Sequence, residues 1–195
     1  MNVTSVAADA TRTLPKRRAT TKYRVESPPT GETFELVASS RTASDGKFRF
    51  VWTLAPGKRG PGEHFHQHET ETFEIVSGVI RIWIANVPKD YHPGDVVAIP
   101  PGVPHRFLNA GSEPVVINVD LDGPRMEDLF APMAVDTHGR KGRFADIRRM
   151  IATLGVSPPS TPTSAAERGM LTAISAMFRW LGARPYEPVH GWDAD

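Results

Sequence analysis

From Thr33 to Asp120 the apolar positions come in short runs rich in β-branched and aromatic residues, and Gly, Pro, Asn and Asp cut the runs apart. Such alternation predicts strands with one buried face, and a row of them at short spacing predicts an all-β sandwich or barrel. The strands drawn from the pattern cover 33–38, 48–54, 63–66, 71–77, 79–85, 95–99, 105–109 and 115–120. About eight strands suffice for a barrel that holds one ligand. Past Asp120 the period becomes helical. A short helix is expected over 125–131. A second carries Phe144, Ile147, Ile151 and Leu154 on one stripe, with Arg143, Arg148 and Arg149 away from it. Ser157 to Ser164 is Pro-rich and reads as a linker. A last helix over 165–181 spaces Met170, Ile174, Met177, Phe178 and Leu181 on one side, suited to the outside of the barrel or to a second subunit, with a lid or a membrane-surface helix as the alternative.

The pattern divides the chain into a flexible arm over 1–22, a β-barrel over 23–122 and a helical extension over 123–195. The arm holds Lys16-Arg17-Arg18 but no sustained period. Only one copy of the strand region is present, and the extension's two histidines, His138 and His190, stand alone.

Composition narrows the function more than the fold. With 39% hydrophobic and 23% charged residues the chain is of ordinary globular type. Lys plus Arg number 23 against 22 acidic residues, which removes the basic excess a nucleic-acid partner would call for. Neither an apolar secretory leader nor a run long enough to span a bilayer is present, so a cytoplasmic protein with no membrane partner is expected. Cysteine is absent, so any metal must be held by nitrogen and oxygen.

Two segments carry candidate chemistry. In His64-Phe65-His66 the histidines stand at i and i+2, which on a strand places both imidazoles on one face. Glu71 follows at an odd offset from His66, so it joins them only if the polar 67–70 run turns; His68 would take its place if the strand ran straight on. Glu69 and Glu74 fall outside that spacing and are expected toward solvent or behind the ligands, and His92, beside Pro93, is expected in an exposed turn. The Pro100-Pro101-Gly102 turn delivers His105 from a further strand. Three imidazoles and a carboxylate suit one divalent transition metal, Fe, Mn, Ni, Cu, Co or Zn, with positions left for water or substrate. Phe73 shares the parity of Glu71 and Phe107 that of His105, so both should line the interior beside the site. Phe48, Phe50 and Trp52 share a face of an earlier strand, as lining or as ordinary core.

These residues resemble the two motifs of the cupin superfamily. His64, His66, Glu71 and Gly78 match the first, and Gly94, Pro100, Gly102, His105 and Asn109 match the second at every position. The first motif normally opens with glycine where this chain has Lys58. The resemblance implies a single jelly-roll barrel, or double-stranded β-helix, with the metal on His64, His66, Glu71 and His105. A finer similarity, to quercetinase-type dioxygenases, rests on the aromatic between the two histidines, on Glu71-Thr72-Phe73 and on Trp83 after Gly78. It implies a dioxygenase for a small, largely apolar, aromatic or enolic substrate. In it Glu71 would be both ligand and general base, and Phe73, Phe107, Trp83 and Trp52 would contact the substrate. A homodimer is expected. The alternatives are a metal-dependent isomerase or cyclase that uses no O₂, and a non-catalytic small-molecule binder.

Overall fold

The structure, a computed structural model, describes residues 23–27, 30–137 and 144–193. The 1–22 arm with its basic cluster, His138, Arg143 and the side chain of Phe144 lie outside the described residues.

The chain runs β1 (Arg24–Ser27), β2 (Glu32–Ala38), β3 (Lys47–Leu54), β4 (His64–Phe65), β5 (Glu71–Ser77), β6 (Ile80–Ile84), β7 (Val87–Tyr91), β8 (Val96–Ile99), β9 (His105–Asn109) and β10 (Val115–Asp122). Then follow α1 (Arg125–Asp136), α2 (Phe144–Leu154), β11 (Thr161–Pro162) and α3 (Ala165–Trp180). The strands form two antiparallel sheets in the orders β1-β2-β3-β10-β5-β8 and β11-β4-β9-β6-β7, the facing sheets of a jelly roll. The fold class is the one expected, all-β with two facing jelly-roll sheets and a C-terminal helical extension. The sheets stay open at their edges rather than closing into a continuous ring.

Strand parity fills the space between the sheets. Phe48, Phe50, Trp52 and Leu54 on β3 stand opposite Leu121, Val119, Ile117 and Val115 on β10, and all are buried. Phe73 and Ile75 continue that layer, and Ile80, Ile82 and Phe107 face it from the other sheet. The register is therefore fixed by burial, because a slip of one residue would turn this whole set to solvent. Gly78 closes the turn after β5 at φ +78°, where a Cβ would come within 2.7 Å of the Val115 Cα, so both backbone shape and space demand glycine. Asn109 is a structural lock: its amide donates to the Leu54 and Glu113 carbonyls at 2.8 and 2.9 Å, and its Oδ1 accepts the Gly111 N–H.

The helices depart from the expected pattern. The first runs on through Pro132 to Asp136 and buries Leu129, Ala131, Met133 and Ala134. Among the described side chains of α2 the buried residues are Asp146, Ala152 and Thr153, while Ile147 is 44% exposed. Its arginines take part in packing instead: Arg149 stacks on Tyr186 and Arg148 on Phe178. On α3 the expected apolar stripe is split. Ile174 and Phe178 are half-buried, but Met170, Met177 and Leu181 are exposed, and Trp180 is 84% exposed. The Ser164 hydroxyl caps α3 by accepting the Glu167 N–H. No helix among the described residues is long and apolar enough to cross a membrane.

Candidate metal centre

His64 on β4 is the register partner of His105 on β9, so the two imidazoles leave one sheet side by side, ring centroids 4.4 Å apart. His66 lies just beyond β4, its carbonyl held by the Gly102 N–H at 2.7 Å, so the Pro-Pro-Gly turn positions two ligands rather than one. Glu71 opens β5 in the opposite sheet. The chain crosses between sheets over 67–70, which is why the odd offset from His66 is no obstacle. His68 sits on that crossing and is exposed, so it does not replace Glu71.

His64, His66, Glu71 and His105 are all buried, and one ligand atom from each lies within 4.8 Å of the others. Each imidazole is oriented from behind. The Nδ1 atoms of His64, His66 and His105 stand 2.8, 3.0 and 2.9 Å from the carbonyl oxygens of Gly62, Pro159 and Val103. A carbonyl only accepts, so each Nδ1 carries the hydrogen, and in the neutral ring the lone pair is left on Nε2. His66 Nε2 and His105 Nε2 approach Glu71 Oε2 at 3.3 and 3.2 Å, misaligned for hydrogen bonding, and all three atoms are buried without a hydrogen-bond partner. Buried acceptors left unpaired are costly. Three imidazole nitrogens and a carboxylate converging on one point would satisfy that cost by holding a divalent ion, and this ligand set fits one.

Electrostatics sort the ligands. Burial, reinforced by His105 nearby, pushes the His64 imidazole down to about 4, so it is neutral at ordinary pH. Burial works against the protonated form of His66 as well, but the Glu71 carboxylate outweighs it and raises this group. Burial alone would raise Glu71; the His105 and His66 rings reverse that and hold it well below the usual carboxylate range. The site thus contains an ionised carboxylate facing imidazoles, and an ion would compete with the proton on His66.

The walls are aromatic. Phe107 packs on Phe73 at 5.1 Å, on His105 at 5.3 Å and on Trp52 at 5.4 Å, all of them buried. Gly60 covers this group so closely that a Cβ would meet Trp52 at 3.0 Å and Phe107 at 3.2 Å. Trp83 is a correction: it alternates with the inward-facing Ile80 and Ile82, so it points out of the barrel, where the Arg106 guanidinium lies 4.2 Å from its ring. Glu74 is on the outer face and accepts from Asn118, and His92 is exposed. Glu69 is buried behind the ligands, the second of the two placements its spacing left open. It accepts the Arg125 N–H at the start of α1, and its Oε2 lies 3.9 Å from His66 Nδ1. The contribution of the Pro159 carbonyl was not foreseen from the sequence; a backbone acceptor some ninety residues away leaves no residue-type signal.

Residues 50–122 match the model of the family described as Cupin domain. Among curated proteins the chain is 33% identical over 82 residues to "Oxidoreductase OpS7" of Beauveria bassiana, covering 42% of this chain and 25% of the relative. It is 26% identical over 78 residues to "Quercetin 2,3-dioxygenase" of Bacillus subtilis, covering 40% of this chain and 23% of that one. The chain therefore spans about a quarter of the length of these relatives. Among solved structures, a cupin-superfamily sugar phosphate isomerase of Silicibacter pomeroyi superposes with a TM-score of 0.43 at 21% identity, over 47% of this chain and 59% of that one.

Proposed function

We propose that the protein, whose residues 50–122 match the cupin-domain family model, holds one divalent transition-metal ion on His64, His66, Glu71 and His105 and acts as a dioxygenase on a small, largely apolar, aromatic or enolic substrate. The observation that carries the metal reading is the set of buried, unpaired Nε2 and Oε2 atoms aimed at one another, with each Nδ1 engaged elsewhere. The oxidative reading draws on the quercetin dioxygenase and the oxidoreductase among the relatives and on the aromatic walls. When bound, the ion supplies Lewis acidity and a route to O₂.

The chain's own residues supply the rest. Glu71, ionised and buried, is the group placed to accept a proton from a substrate hydroxyl as that oxygen enters the site. Phe73, Phe107 and Trp52 pack on one another beside His105, so a planar apolar substrate at the site would meet aromatic carbon there. Metal-reconstituted protein offered flavonols and simple enolic ketones is expected to consume O₂ in step with substrate loss. Turnover without O₂ uptake would replace this reading by a metal-assisted isomerase or cyclase, and binding without turnover by a small-molecule binder.

A further inference from the structure

The segment 157–163, between α2 and α3, lies outside the cupin match yet reaches the metal centre. Strand β11 pairs with β4, Thr161 opposite Phe65 and Pro162 opposite His64, and so covers the edge of the sheet that carries the histidines. The pairing is extended on both sides. The Thr163 N–H donates to the Glu63 carbonyl at 3.1 Å, its hydroxyl to Glu63 Oε1 at 2.9 Å, and the Gln67 amide donates to the Thr161 hydroxyl at 3.2 Å. Arg168 on α3 fixes the strap from outside by donating to the Pro162 and Thr163 carbonyls at 2.8 and 2.7 Å. The buried Pro159 carbonyl stands 3.0 Å from His66 Nδ1.

The three acceptors behind the histidines are not equivalent. Those of His64 and His105 come from two residues before each histidine, within its own loop. That of His66 comes from the extension. We propose that Pro159 is a positioning residue of the metal centre and that the 157–163 strap sets the ion's affinity by fixing His66 with Nε2 turned inward. The proposal rests on the metal reading above. Outer hydrogen bonds of this kind commonly change metal affinity 10- to 100-fold. The coupling is reciprocal: a ring that binds a cation through Nε2 becomes a stronger Nδ1–H donor, so the ion should tighten the strap.

Cobalt(II) serves as probe, with affinity measured by chelator competition and ligand field by visible absorption. Thr163→Pro removes both the amide and the hydroxyl that tie the strap to Glu63; Trp180→Ala, in the same extension but on an exposed face, is the control. Thr163→Pro is expected to weaken cobalt binding by about tenfold or more and to shift its absorption bands, with the control unchanged. A folded Thr163→Pro protein with wild-type affinity and spectrum, even if less heat-stable, would show that the strap only covers an edge and overturn the proposal. If that variant does not fold, amide exchange on the wild type decides. Cobalt should slow exchange at Thr163 as well as in the barrel, and protection confined to the barrel overturns the proposal. Absence of cobalt binding by the wild type overturns the metal reading itself, and the strap's role with it.

Discussion

Glu32 is a carboxylate in a place that favours hydrocarbon. It opens β2 opposite Leu54, is 8% exposed, and its Oε1 has no hydrogen-bond partner. Burial raises its pKa, and Thr30 and Trp52 offset this only in part. A carboxyl whose folded pKa lies above the unfolded value binds its proton more tightly in the native state, so its contribution worsens as pH rises from the unfolded value, about 4.3, through the folded one. Glu32→Gln is therefore expected to raise the urea midpoint at pH 7, with the difference shrinking toward pH 4, where both side chains are neutral. An equal gain at both pH values would mean the effect is not ionisation. At this scale the site was largely readable. Strand parity placed His64, His105, Phe73 and Phe107 inside, and the motif spacing placed Glu71. Trp83 was assigned to the substrate by resemblance against its own parity, since it alternates with buried isoleucines, and it lies outside.

At the scale of elements, what the sequence hid is what lies at sheet edges. Strand β7 carries Pro88, Lys89 and Asp90, residues that read as a turn, yet this is how an edge strand protects itself from further pairing. Strand β11 is two residues in a Pro-rich stretch and exists only because β4 offers it a free edge. The α2 and α3 faces differ from the expectation for a related reason: the fully buried part of their contact is made by small residues, Ala152 and Ser175, with Arg148 on Phe178 beside them. Gly155, just past α2, abuts Ser175, where a Cβ would fall 2.0 Å from Oγ, and the Ser175 hydroxyl donates to the Ala152 carbonyl. Gly155→Ala should force the helices apart and cost about 1–3 kcal/mol, read as a lower urea midpoint together with faster amide exchange in α3. Unchanged exchange in α3 would show that this contact does not hold the pair together.

Across the whole molecule, the extension is built into the barrel rather than appended to it. Leu129, Ala134, Tyr186 and Trp192 belong to the same buried cluster as Phe48 and Ile117. The Trp192 indole donates to Glu127 at 2.9 Å, and the buried Glu127 carboxylate also accepts from Ser39 and Ser40. The barrel was legible because its period-two alternation is local; the docking of the extension depends on contacts between distant segments, which no window of sequence displays. Among the described residues this packing encloses the cluster of unpaired imidazole and carboxylate atoms at His64, His66, Glu71 and His105, so the metal content of the protein tests the account most directly. Protein purified without added metal, or reconstituted and desalted, should carry about one transition-metal ion per chain by elemental analysis, as a single closed donor set requires. His66→Ala should stay folded and lose most of it. Wild-type protein that holds no stoichiometric ion, or His66→Ala that keeps one, would contradict the account.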